Sequence, residues 1–323
     1  MKIIAKKLGN GICKTRFGRR GVVVLKRALF RYHFRYCKIP KRQTKYYFSA
    51  VLIFKDEDRY LKEWIEYHRL IGVDHVYAYN DGSTDDYLKV LSPYIDEGYV
   101  TLVEWKKPHS QMEAYTDCWQ RFKDETFWMM FIDVDEFICP YKNQSITEWI
   151  RPYEHYCSVT LFWRHFSTGG IMDYDATKLV TERFTKASPT LRPGGKIVLN
   201  TAYQPVHIYH HSIECYVSFL GKTWIIPPID EERHFIMDYA TDSYRVRVLK
   251  MPSINTIQLN HYWSKSYEEY QRKMSKGDVS YIVDKSGRES RERFLTYERQ
   301  CTFDDFTIFQ YLPKLKRWMK MEA

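Results

Sequence analysis

Three carboxylates crowd one short stretch of this 323-residue chain: Asp133, Asp135 and Glu136, inside FWMMFIDVDEFICP at 127–140. The apolar run 127–132 precedes them, and Phe137 and Ile138 resume it. A run this short, bounded by charge and by Pro140, predicts a strand buried on both faces that ends in acid. An Asp-x-Asp pair on a turn offers two hard oxygen donors. Such donors suit Mg2+ or Mn2+, which in turn hold phosphate oxygens. A solvated acidic turn is the plain alternative, so the surroundings must decide.

The elements that position the acids come next. FSAVLIFK (48–55) reads as a strand, and Asp56, Glu57 and Asp58 open a helix carrying Leu61, Trp64, Ile65, His68 and Ile71 at helical spacing. Gly72 stops it. Residues 73–80 form a second strand, followed by the polar turn 80–86, where Ser83 and Asp86 suggest a capped helix start. That helix runs to about Ile95, a third strand spans 100–105, and a helix spans 110–122 before the acidic stretch. This alternation predicts an α/β fold with a mostly parallel sheet and helices on both faces. Ligands of such sheets bind beyond the carboxyl ends of the strands. Lys55, Glu57, Asp81 and Asp133/Asp135 all fall there.

Later segments are less regular. Ser145 and Glu148 suggest a capping box for a short helix to about Arg151, and 158–166 reads as a strand. Mixed short strands are expected in 186–230 and a final strand over 254–262. Ser266 and Glu269 cap a helix over 267–274, and a charged linker (284–293) leads to C-terminal helical segments.

Composition excludes several classes. The seven cysteines are scattered with no Cys-x-x-Cys, which argues against a zinc or dithiol site. No Gly-rich phosphate loop follows the first strand, which disfavours a dinucleotide dehydrogenase or a P-loop enzyme. No stretch reaches the roughly 18 apolar residues of a membrane span. Net charge is +10, but residues 1–47 hold 15 of the 50 Lys and Arg and none of the 40 Asp and Glu. The basic balance therefore belongs to an N-terminal arm. Its interleaved apolar residues suit an amphipathic helix on an anionic membrane, at about 1 kcal/mol per basic residue near the surface. A nucleic-acid-binding arm and a solubilising tail are the rival readings.

KDEDRYLKEWIEYHRLIGVDHVYAYNDGSTDD (55–86), QMEAYTDC (111–118), FIDVDEF (131–137), WRHFSTGG (163–170), ERF (182–184), KIV (196–198) and NHYWSKSYEEY (260–270) occur in order. In this set the chain resembles glycosyltransferase family 92 and related bacterial family 2-type glycosyltransferases of the GT-A fold. The resemblance implies a GT-A domain over 48–280, between the basic arm 1–47 and a C-terminal helical extension 281–323. It implies a nucleotide pocket lined by Lys55, Glu57 and Asp81. Asp133 would lie near the ribose and the metal, Asp135 would be the more direct ligand of Mn2+ or Mg2+, and His261 would complete the metal site. Lys265 would reach the diphosphate. The donor would be a UDP-sugar, perhaps UDP-galactose by kinship, and the acceptor a glycan or glycolipid. Relatives often carry Gly-Ser-Ser-Gly-His where this chain has Ser167, Thr168, Gly169, Gly170 and Ile171. Eukaryotic relatives carry a membrane anchor, so the basic arm implies a cytoplasmic enzyme peripheral on the inner face of the membrane, with no nucleic-acid partner.

Inverting transfer needs a carboxylate to deprotonate the acceptor hydroxyl. Asp173, Asp175, Glu182 and Glu214 are the candidates, with Asp173 preferred because it follows the 167–170 loop. Trp163 and Trp263 could stack on sugar or serve as core, and His207, His210 and His211 read as acceptor-side or structural. Glu136 is expected to pair with a basic side chain behind the site and hold the turn. A sugar-nucleotide nucleotidyltransferase is the alternative enzyme, but it would want a Gly-rich basic loop where Lys55, Asp56 and Glu57 stand.

Overall fold

The computed structural model describes residues 16–37, 42–107, 109–142, 145–209, 211–236, 256–276 and 287–321. After α1 (Arg16–Tyr36), strands and helices alternate as expected: β1 (Tyr46–Phe54), α2 (Asp58–Leu70), β2 (His75–Asn80), α3 (Tyr87–Asp96), β3 (Val100–Glu104), α4 (Gln111–Phe122) and β4 (Thr126–Phe131). There follow β5 (Glu136–Pro140), α5 (Ile146–Ile150), β6 (Ser158–His165), α6 (Val180–Arg183), β7 (Lys186–Ala187), β8 (Gly195–Asn200), β9 (Gln204–Pro205), β10 (Cys215–Phe219) and β11 (Lys222–Ile226). The chain closes with β12 (Ile257–His261), α7 (Tyr267–Lys276), α8 (Gly287–Gln300), β13 (Phe303–Asp304) and α9 (Leu312–Trp318).

Eight strands share one sheet in the order β3-β2-β1-β4-β8-β6-β12-β5. β1, β2, β3 and β4 pair in parallel, as do β6 and β12. β8 runs antiparallel to both β4 and β6, and β5 antiparallel to β12. The carboxyl ends of β1, β2, β4, β6 and β12 therefore meet one rim. The two reversed strands begin there, with Gly195 opposite Phe162 and Glu136 opposite His261.

The stretch 127–140 is thus two strands rather than one. β4 lies beside β1, and β5 lies four places away at the edge. Four spacings of a flat sheet come to about 19 Å. The five residue steps from Phe131 to Glu136 reach at most about 18 Å when extended. They also include a turn, in which Glu136 N donates to Asp133 O at 3.0 Å. The sheet must therefore curl until its rim nearly closes on the acidic turn. Gly195 helps β8 enter the curl: a Cβ there would fall 1.9 Å from the Leu161 carbonyl oxygen.

Other local expectations divide. Ser266 and Glu269 make the expected reciprocal cap, with Ser266 N donating to Glu269 and Glu269 N to Ser266 Oγ. Ser145 caps α5 as expected, its Oγ accepting from Thr147 N, whereas Ser83 Oγ accepts from Asp56 N rather than capping α3. The expected linker 284–293 is largely the start of α8, and β13 follows β12. One core holds most buried side chains, including Phe30 and Phe34 from α1 and Ile308, Tyr311, Leu312 and Leu315 near the carboxyl end. Segments expected as arm and extension thus pack into the central core. The six described cysteines are free, and no helix among the described residues is long and apolar enough to cross a membrane.

Buried histidines set the pH response of this core. His68 stands between the Trp64 carbonyl, 2.8 Å from Nδ1, and Ile138 N, which donates to Nε2 at 3.4 Å. Only the neutral ring can serve both. Burial lowers its pKa to about 3. Burial, then Lys45, lowers His75 to about 4, and burial, then Arg192 and Arg293, lowers His165 to about 4. Unfolded histidines take a proton near pH 6.5, so from about 6.5 down to 4 these three side chains bind more protons in the unfolded chain than in the folded one. Stability is lost as pH falls through that window. The melting temperature is expected to decline steadily from pH 7 to pH 4.5; a constant value would contradict these assignments.

Candidate active site at the curled rim

The acidic turn is held from beneath by Lys196, the second residue of β8. Its ammonium lies 2.7 Å from Asp133 Oδ2 and 3.7 Å from Glu136 Oε2, and its side chain is 1% exposed. Glu136 accepts from Asp133 N at 2.9 Å and from Trp163 Nε1 at 2.5 Å. It therefore closes the turn and ties it to β6, the role expected of it. Burial pushes its carboxyl up, and the Lys196 ammonium pulls it back toward the ionised form. Asp133 Oδ1 receives Gln111 Nε2 at 3.2 Å and Tyr115 OH at 3.4 Å, both from α4. Both oxygens of Asp133 are thus engaged by protein.

Asp135 faces the other way. Its Oδ2 pairs with the Lys273 ammonium of α7, and its Oδ1 lies 3.7 Å from His261 Nε2, at the end of β12. Burial would raise the Asp135 carboxyl, but Lys273, His261 and Lys265 together hold it well below the usual carboxylate range. His261 is pushed far down by burial despite Asp135, and its Nδ1 is buried with no hydrogen-bond partner. A neutral imidazole beside an ionised carboxylate is a donor set that fits Mn2+ or Mg2+. The fit is better for Asp135 and His261 than for Asp133, which Lys196, Gln111 and Tyr115 already occupy.

The remaining expected residues are spread along the rim. Lys265 is buried, in the left-handed backbone region (φ 53°), with its ammonium 4.2 Å from the centre of the Tyr60 ring. Burial lowers its pKa while Asp135 and Glu57 oppose that. Asp81 is buried at the end of β2, raised by burial and pulled back by Lys55 and His109. The two nucleotide-side turns are tied together: Thr84 N donates to Asp56 Oδ1 at 2.7 Å and Asp58 N to Asp85 Oδ2 at 2.8 Å.

Asp173 lies apart, exposed on a loop against the start of α7. Among the described residues no hydrogen bond or ion pair joins it to Asp133, Asp135 or His261. Asp175 accepts from Thr177, and Glu182 pairs with Lys316 at 2.7 Å. Glu214 is raised by burial near His207. His211 reaches the Gly195 carbonyl at 3.0 Å and meets the Trp163 ring, while His210 lies outside the described residues. Trp263 stacks on Tyr297 of α8 at 4.5 Å, and Tyr297 stacks on His165 at 4.6 Å. Sequence reasoning missed Lys196, Lys273, Gln111, Tyr115 and Tyr297 as site residues. Lys196, Gln111 and Tyr115 stand inside quoted motifs, which was the one available signal.

Replacing Lys196 by Met would leave Asp133 and Glu136 without their counter-ion. Breaking a buried pair in this way costs about 3–5 kcal/mol. Denaturant unfolding of Lys196→Met should show a loss of that order, and adding Glu136→Gln should recover part of it. A loss under about 1 kcal/mol would remove Lys196 from this role.

The chain matches the glycosyltransferase family 92 profile over residues 47–290. It is 26% identical over 200 residues to galactan beta-1,4-galactosyltransferase GALS2 of Arabidopsis thaliana, covering 57% of this chain and 38% of that protein. It is 31% identical over 113 residues to a family 92 protein of rice, Oryza sativa subsp. japonica, covering 35% of this chain and 19% of that one. It thus aligns with well under half the length of these curated relatives. Among solved structures, S. aureus TarS shares 15% identity at a TM-score of 0.33, over 48% of this chain and 47% of that one. With the family profile spanning most of the chain, the protein belongs to glycosyltransferase family 92.

Proposed function

We propose that this protein is a metal-dependent inverting glycosyltransferase. It would move a sugar from a UDP-sugar, with UDP-galactose suggested by the name of its plant relative, to a hydroxyl of a glycan or glycolipid. The observation that carries this reading is the meeting of Asp135 with His261 on the rim that also holds Asp81 and Lys55. Asp81 and Lys55 sit where a nucleotide would lie, beyond β2 and β1. Asp133, fixed by Lys196, Gln111 and Tyr115, presents a rigid edge to a ribose. Asp135 and His261 would hold Mn2+ or Mg2+. When bound, the metal supplies Lewis-acid neutralisation of the diphosphate as it leaves. Lys265 lies close enough to Asp135 to share that task. Deprotonation of the acceptor is assigned to Asp173, whose exposure leaves it free to meet an acceptor in solution.

The membrane-surface reading draws support from α1. Its inner face buries Val23, Phe30 and Phe34, but a second apolar stripe, Val22, Leu25, Leu29, Tyr32 and Tyr36, follows 3-4-3-4 spacing. Leu25, Tyr32 and Tyr36 are 64–71% exposed. Lys26, Arg27, Arg31 and Arg35 flank the stripe, and the helix has no acidic residue. Two such helices side by side would repel, so the charge favours an anionic bilayer over a second copy of this chain.

Asp135→Ala should cut transfer by about 100-fold or more in a protein that still folds. UDP with Mn2+ at about 100 times its Kd should stabilise the parent protein by about 2.7 kcal/mol. Unchanged turnover in Asp135→Ala, with and without chelator, would sink the metal reading. Asp173→Asn should lose turnover while keeping UDP binding; full activity would pass the base role to Asp175, Glu182 or Glu214. In sedimentation, the protein should bind vesicles containing phosphatidylglycerol and not pure phosphatidylcholine, and Leu25→Glu with Tyr32→Glu should release it. Equal binding by that double variant would refute the α1 surface.

A further inference from the structure

Both rim carboxylates meet a lysine, yet the two pairs are built differently. Lys196 is sealed between Asp133 and Glu136, at 1% exposure, with no route to water. Lys273 reaches in from α7 with 32% of its side chain exposed. Its ammonium meets Asp135 Oδ2, lies 3.3 Å from the Trp263 carbonyl and 5.6 Å from the centre of the Trp263 ring. The first pair is enclosed by two carboxylates, and the second joins one carboxylate to a side chain that is a third exposed along its length.

Charge makes the difference matter. Lys196, Lys265 and Lys273 face Asp133, Asp135 and Glu136, with Glu57 also acting on Lys265 and Lys273, so the charge of the acidic turn is largely balanced before any dication arrives. A dication and an ammonium on the same partly buried carboxylate would repel strongly. A nucleotide diphosphate changes that balance, because it brings its own negative charge to the rim.

We propose that Lys273 is an exchangeable counter-ion. Without donor its ammonium holds the cation position at Asp135. It yields that carboxylate to a divalent cation arriving with a nucleotide diphosphate, and the diphosphate then becomes its partner. Lys273 is a positioning residue in this scheme: it makes metal binding conditional on donor. The inference rests on the metal reading of Asp135 and His261 given above.

The test is a Mn2+ titration followed by loss of the free-ion electron paramagnetic resonance signal, with and without UDP. The parent protein should bind Mn2+ weakly alone and far more tightly with UDP. Lys273→Met, which keeps the aliphatic stem, should bind Mn2+ alone roughly tenfold or more tightly than the parent, and UDP should add less. Lys273→Arg keeps the charge and should retain the parent pattern. Should Lys273→Met melt early, Lys273→Gln serves the same comparison. Mn2+ affinity that is unchanged or weaker in a folded, neutral variant, with UDP-dependent Mn2+ binding intact in the parent, overturns the exchange alone. A parent that binds UDP calorimetrically but takes up no Mn2+ in either state overturns the metal reading, and the exchange with it.

Discussion

A single buried ammonium organises the rim. Lys196 is the only cation touching both Asp133 and Glu136 among the described residues, and every part of the acidic turn is referred to it. Glu136 could not lie fully buried beside two further carboxylates without that charge, because desolvation and like-charge repulsion both act against it. With Lys196 in place, Glu136 is free to accept from Asp133 N and Trp163 Nε1, which fixes the turn to β6. The geometry of Asp135 then follows, since it stands next to Glu136 and two positions from Asp133.

The sheet and the site constrain each other. The acidic turn runs from β4 to β5, so curling brings β12 and β6, and with them His261 and Trp163, round toward Asp133 at the end of β4. The part of the rim beyond β1 and β2 is stiffened separately, through the hydrogen bonds that join the two turns there. One half of the rim is thus rigid through backbone-to-side-chain bonds, and the other through buried charge. An enzyme that must hold a nucleotide still while charge builds on its diphosphate is served by both.

The first half of the fold was legible because each strand is an apolar run and each helix a 3.6-residue stripe. The rim was legible for the same reason, since polar residues cluster where those runs stop. The split of 127–140 was not, because Glu136 looks like an interruption of one strand when it is the buried first residue of another. β8 was also hidden: GKIVLN is short, and nothing local says that it inserts antiparallel between β4 and β6. Ser266 and Glu269 formed their box and Ser145 its cap, while Ser83 gave its hydroxyl to Asp56 N of the turn after β1, a partner that no local pattern announces. Lys273 and Tyr297 carry no signal in sequence, since their roles arise only when α7 and α8 pack against residues far away in the chain.

The position of β8 also has a meaning in time. Lys196 and Asp133 are separated by 63 residues, and the sheet cannot close between β4 and β6 until the later segment exists. At about 5–20 residues per second of synthesis, the acidic turn waits roughly 3–13 s for its counter-ion. Over that interval the half from β1 to β4 can assemble from its own parallel pairs, while Asp133, Asp135 and Glu136 keep their water. The rim is therefore late to dry, and the same late closure seals Asp133 and Glu136 around Lys196.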